Sequence, residues 1–263
     1  MGVITAMHRF LIEPDNVHND ILNLTGDDAK HMLTVLRFKV GDVFLAFDGT
    51  GLEYEAEVTA IGKNSVSARI IKASRPGTEP DKKVVLFQGL PKADKMDWIV
   101  QKSVELGVWE IVPVFTQYSV MRANEKGLDG KLDRWNKIAR EACKQSRRVI
   151  VPEVRAPLMY QDAVKMWSER IEKSSESEAL TVYCYENEGK KCLKDLFKCY
   201  NIDHINTAGL FIGPEGGFSE GEIKLAAEHR FCPVSLGKRI LRTETAAIAV
   251  LSVVMYEMGE WKA

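Results

Sequence analysis

Along this chain of 263 residues the rhythm of apolar and polar positions changes once. Tyr54-Glu55-Ala56-Glu57-Val58 and Ser65-Val66-Ser67-Ala68-Arg69-Ile70 alternate at period two, as strands with one buried face do. Val43 to Phe47 is apolar and runs into Asp48-Gly49, so the spacing predicts a hairpin. GDDAKHMLTVLR, between Thr25 and Arg37, predicts a short helix. Small and turn-forming residues from Ala73 to Pro80 mark a linker. The expected boundary places one domain at 1–74 and a second at 75–263.

Past the linker the runs are continuous rather than alternating. Val84 to Phe87 and Ile111 to Phe115 predict buried parallel strands. Asp94 to Leu106 predicts a helix with Met96, Ile99, Val100 and Val104 on one side and Gly107 as its stop. Leu132, Trp135, Ile138 and Ala142 mark another helix. Further strands are expected at Leu180–Tyr185, Leu210–Ile212 and Val234–Leu236, and helices at Glu220–His229 and Thr243–Met258. Short apolar strands alternating with helices predict an α/β domain with a largely parallel sheet. The last helix is apolar nearly all round and must bury itself in a core, an interface or both. Ser174 to Glu178 reads as a polar surface loop.

Composition adds exclusions. Hydrophobic residues make up 45% and charged residues 28%, with a net charge of −1. That excludes a disordered chain and a uniformly basic nucleic-acid coat, but not a local basic face. The five cysteines form no C-x-x-C and are odd in number. A disulfide scaffold or zinc ribbon is excluded, and a reducing cytoplasm fits best. The start, MGVITAMHRF, lacks the regions of a signal peptide. The most apolar tract, Ala246 to Met255, is about half of what spans a bilayer. A soluble protein without a membrane partner is expected.

Several motifs are missing: G-x-G-x-x-G after a strand, the P-loop and H-E-x-x-H. Five scattered histidines suggest no metal site. Gly217-Phe218-Ser219-Glu220-Gly221 fits the nucleophile elbow, but no aspartate follows it and the one later histidine is His229. Ser219 and Glu222 instead form a helix capping box. Two Gly-rich loops remain, each between a strand and a helix: Gly213-Pro214-Glu215-Gly216-Gly217 and the run from Leu236 and Gly237 to Thr245. Ligands of open α/β sheets bind at such loops. From Lys131 to Arg148 seven basic residues face two acidic ones. Lys137, Arg140, Lys144 and Arg147 recur every three or four positions, and Lys92, Lys95 and Lys102 form a similar stripe. With Arg239 and Arg242 in the loop, phosphate binding becomes plausible. The part up to Ser74 is acidic on balance, so any contact with RNA there uses specific residues such as Arg9 and Arg37.

These features together resemble one family. HMLTVLRFKVGD, FDGTG, KADKMDWIVQKSVELG, REACKQSRR, FIGPEGGFSEGE and LGKRILRTETAAI are similar to stretches of the bacterial methyltransferases that modify N3 of a uridine in small-subunit (16S) ribosomal RNA. That family belongs to the SPOUT superfamily. The resemblance covers nearly the whole chain and is weakest from about Ala156 to Asn206. It implies an N-terminal PUA-like β-barrel, an α/β domain with a deep trefoil knot, a homodimer, and S-adenosylmethionine as methyl donor. Carried over, the cofactor residues are Gly213, Pro214, Glu215, Gly216, Gly217, Leu236, Gly237, Ile240 and Leu241. Arg242 and Glu244 lie at the catalytic end. Arg9, Arg37, Lys92, Lys144 and Arg147 are expected to face RNA. Uracil N3 must lose a proton to become a nucleophile, so Arg242 is the candidate to stabilise the anion. Glu244 would orient Arg242 or take the proton. Two alternatives stay open: a non-catalytic RNA-binding or ribosome-assembly factor, and a related enzyme acting on tRNA or a ribose 2′-OH.

Overall fold

The computed structural model describes residues 7–120, 127–173 and 178–261. The loop expected at Ser174 to Glu178 therefore lies, but for its last residue, outside the described residues. The chain forms two compact units. The first holds residues 1–79 and 143–151; the second holds 80–142 and 152–263.

In the first unit a six-stranded sheet curls around one core. Its strands are β1 (Arg9–Leu11), β2 (Val17–His18), β3 (Ile21–Thr25), β4 (Val43–Phe47), β5 (Glu53–Ile61) and β6 (Ser65–Ser74), ordered β1-β4-β5-β6-β3-β2. Only the β1–β4 pair is parallel. The pairing of β5 with β6 shifts register at Glu55/Ala56 and at Val58/Ala60, and such bulges sharpen the bend and twist of a sheet. Alternation puts Tyr54, Ala56 and Val58 inside, against Phe10, Leu22, Phe44 and Val66. The expected helix is shorter than its pattern: α1 (Gly26–Lys30) loosens into a π turn over His31–Val35, which seats Met32 in the core.

The second unit carries an all-parallel sheet. Its strands are β7 (Lys83–Gly89), β8 (Glu110–Phe115), β9 (Glu153–Val154), β10 (Leu158–Met159), β11 (Ala179–Cys184), β12 (Thr207–Ile212) and β13 (Pro233–Val234). They run β10-β8-β7-β12-β11-β13, with β9 paired to β8. The helices are α2 (Lys95–Glu105), α3 (Leu128–Ser146), α4 (Tyr160–Lys173), α5 (Leu193–Lys198), α6 (Glu220–Glu228) and α7 (Thr243–Glu257). The last turn of α3, from Cys143, counts with the first unit. Gly107 ends α2 at φ +95°, and Ser219 caps α6: Glu222 N–H donates to Ser219 Oγ at 3.3 Å and Ser219 N–H to Glu222 Oε2 at 2.8 Å. That box is why the elbow-like motif carries a cap rather than a nucleophile. Helix α7 is buried along Ala246, Ala247, Val250, Leu251, Val254 and Met255 and packs on α2, β7 and β12, while Val253 and Tyr256 stay exposed. No helix among the described residues is long and apolar enough to cross a membrane.

Candidate functional site

Two loops at the carboxyl ends of β12 and β13 line one cavity of about 430 Å³. Every residue expected to hold the cofactor lies on it: the whole stretch from Gly213 to Gly217, together with Leu236, Gly237, Ile240 and Leu241. Arg242 is on the same wall, and Glu244 is not. The loops are fastened to each other. Thr243 Oγ1 donates to the Gly213 carbonyl at 2.6 Å and accepts from Gln88 Nε2 at 2.9 Å. Gln88 lies in β7, so three chain segments meet at one hydroxyl. A Cβ on Gly89 would lie 2.6 Å from Pro214 Cδ, so only glycine lets the end of β7 come this close.

Gly217 bends the first loop at φ +68°, and a Cβ there would collide with the Glu186 carboxylate. Glu186 and Tyr185, past the end of β11, also line the cavity. Reading the sequence misses both, because they follow the strand in a stretch with no Gly-rich signal.

Outside this wall, Lys95 joins the first loop to α7. Its ammonium lies 2.8 Å from Glu215 Oε1 and 3.2 Å from Glu244 Oε2. The Lys92 N–H also donates to Glu215. Burial pushes the Glu215 carboxyl up, but the bonds from Lys95, its own N–H and the Lys92 N–H outweigh that and leave it below its ordinary value. Lys95 is raised, first by its bond to Glu215, with burial opposing and Glu244 adding. Glu244 thus pairs with Lys95. The Arg242 side chain makes no hydrogen bond or ion pair among the described residues, and the residue is exposed, so Glu244 does not orient it here.

Among residues expected to meet RNA, Arg9 requires a correction. Its side chain is only 7% exposed. It pairs with Glu53 at 2.6 Å, lies over the Phe47 ring, and donates to the carbonyls of Cys143, Lys144 and Arg148. It closes the C-terminal end of α3, where carbonyls lack helical partners, so its charge is engaged inside the first unit rather than offered at the surface. Lys144 is held by Asp28 at 3.0 Å. Arg147 lies past the end of α3 at φ +62° and so does not continue the helix face. Arg148, counted in the basic run, is buried against Glu79 at 2.8 Å. Arg37, Lys92, Lys137, Arg140 and Arg147 are exposed.

A larger cavity of about 600 Å³ involves Ser168, Tyr200 and His229. Ser168 Oγ and His229 Nδ1 are 2.8 Å apart, but no carboxylate among the described residues hydrogen-bonds the imidazole, as a hydrolytic triad requires. The cavity between the two loops is therefore the better candidate. Among the described residues no three His, Cys, Asp or Glu side chains are grouped to hold a metal ion.

Comparisons with known proteins identify the family. Residues 78–255 match the RNA methyltransferase domain family, and residues 24–71 match the RNA methyltransferase PUA domain. The ribosomal RNA small subunit methyltransferase E of Bacillus subtilis is 33% identical over 89% of this chain and 90% of its own. The protein of that name from Buchnera aphidicola is 29% identical over 97% and 95%. A crystal structure of that methyltransferase from Neisseria gonorrhoeae, bound to S-adenosylmethionine, superposes with a TM-score of 0.81 at 32% identity. It covers 97% of this chain and 100% of the other. With two fastened loops around one cavity and these matches along nearly its whole length, the chain belongs to the ribosomal RNA small subunit methyltransferase E family.

Proposed function

We propose that this protein methylates N3 of a uridine in 16S ribosomal RNA of the small subunit, with S-adenosylmethionine as donor. The observation that carries this reading is the convergence of both Gly-rich loops on one cavity with Arg242 at its rim. The residues fit the donor. The cavity has room for a nucleoside-sized ligand, and the absence of a side chain at Gly217 lets Glu186 stand at its wall, where it offers a carboxylate to a cation.

S-adenosylmethionine supplies a methyl group already activated on a sulfonium. The chain must then position the acceptor in line and stabilise the nucleophile. Arg242 is free to reach uracil O2 or O4, where positive charge favours the N3 anion. Glu244 lies off the cavity wall and beside Lys95, so on this reading it accepts the proton through water rather than directly. Arg37 and Arg147 in the first unit, and Lys92, Lys137 and Arg140 in the second, offer exposed charge to phosphates. The PUA match over residues 24–71 supports an RNA-facing role for the first unit.

The enzyme works as a homodimer on this reading. Support comes from Trp98, Val253, Tyr256 and Trp261, large apolar side chains left exposed on the second unit, since such surface favours a partner. The match of residues 78–255 to the RNA methyltransferase domain family supports the deep trefoil knot. On this reading the enzyme works in the cytoplasm, where its ribosomal RNA substrate is.

The test is methylation of purified small subunits and of free 16S RNA, read by mass spectrometry of nucleosides. N3-methyluridine is the expected product. A ribose methyl, methylation of tRNA alone, or donor binding without any product would overturn the reading in favour of a related enzyme or a binding factor.

A further inference from the structure

The cavity between the two loops carries more positive than negative side chains. Lys238, Arg239 and Arg242 line it, against Glu186 and Glu215. The two carboxylates are not equivalent. Glu215 is committed to Lys95 at 2.8 Å and to the Lys92 N–H at 3.2 Å. Glu186 makes no hydrogen bond or ion pair among the described residues. Glu186 is exposed, and its carboxylate lies in front of the Gly217 α-carbon, where a Cβ would strike it. Any side chain at 217 would push it aside.

We infer that Glu186 is the charge-reading residue of this site: its carboxylate attracts the net positive charge of the methyl donor and distinguishes it from the spent product. The inference rests on the donor assignment above. At neutral pH S-adenosylmethionine carries a sulfonium, an ammonium and a carboxylate, a net charge of about +1. When the methyl group leaves, its bonding pair stays on sulfur. S-adenosylhomocysteine therefore keeps the ammonium and carboxylate but loses the sulfonium charge. A negative charge on the wall of a partly enclosed cavity attracts a net cation more than a zwitterion. Glu215 cannot supply this difference, since Lys95 already balances it. The consequence is directional: Glu186 favours loading of fresh donor and releases its hold once transfer is complete.

Calorimetric titration tests the assignment with S-adenosylmethionine and S-adenosylhomocysteine as the two probes, on the full chain and on Glu186→Gln. Gln keeps the shape and removes the charge. The expected result is about a tenfold loss of affinity for S-adenosylmethionine, in keeping with a half-screened unit charge, and a change under threefold for S-adenosylhomocysteine. Glu186→Lys should widen the difference further. In the native chain, affinity for S-adenosylmethionine should fall with salt more steeply than affinity for its product, and Glu186→Gln should remove that excess. Equal losses for both probes, or no loss for either, would overturn the charge-reading role while leaving the donor site in place. A native chain that binds neither probe would instead overturn the donor assignment itself.

Discussion

The hydroxyl of Thr243 donates to the carbonyl of Gly213 across 2.6 Å. Thirty residues separate them, yet this bond joins the start of α7 to the first turn of the loop after β12. Gln88 donates to the same oxygen from β7. The two halves of the proposed donor site are therefore held to one another and to the sheet by a single buried hydroxyl. Thr243→Val keeps the shape and removes the oxygen. It leaves the Gly213 carbonyl and a Gln88 donor without this partner, which costs about 1–3 kcal/mol. Urea unfolding should show that loss, and calorimetry should show weaker donor binding. A variant with native stability and affinity would mean that the loops are held by other means.

Gly217→Val should abolish donor binding. The residue sits at φ +68°, and its side chain would displace Glu186. The strain is local to the second unit, so circular dichroism of the sheet-rich first unit should persist. Normal donor affinity would show that this loop is not the donor wall.

Arg242→Ala should lower kcat by about 10²–10³ with donor affinity nearly unchanged, the loss expected when one transition-state donor is removed. A raised KM with kcat within about threefold of the native value would make Arg242 a phosphate contact instead.

Acid should loosen the first loop. Glu215 titrates below its ordinary value because Lys95 and two N–H groups favour its charged form against the cost of burial. Its contribution is present above the unfolded carboxylate value of about 4.3 and is lost as pH falls through the lowered folded value. The pair is partly exposed, so the contribution stays under about 1 kcal/mol. Urea midpoints followed from pH 7 to pH 3 should show this component in the native chain and not in Lys95→Met. An identical acid profile in both would remove the pair from the stability of the loop.

Reversing Arg37 and Arg147 to Glu should weaken RNA binding and flatten its salt dependence by nearly one log–log unit for each lost phosphate contact. Lys144→Glu should instead destabilise the first unit through its pair with Asp28. An unchanged slope in the Arg37 and Arg147 variants would return both to the solvated surface.

Local pattern settled most of the secondary structure. Period-two alternation in β5 and β6, continuous apolar runs in β7 and β8, and the Ser219–Glu222 box are written in neighbouring residues, because pleat, burial and capping act over a few positions. Helix α4 buries Tyr160, Ala163, Val164 and Trp167 at helical spacing, although no helix was expected there. The Gly-rich loops announced through their composition the cavity that they line. Tertiary structure alone decided which charges are free. Arg9, Lys144 and Arg148 read as basic surface, yet Glu53, Asp28 and Glu79 take them from 44, 116 and 69 residues away. Glu186 became part of the site only because the end of β11 lies beside the loop after β12. Burial and ion pairing depend on what folding brings together, and a linear sequence does not display those distances.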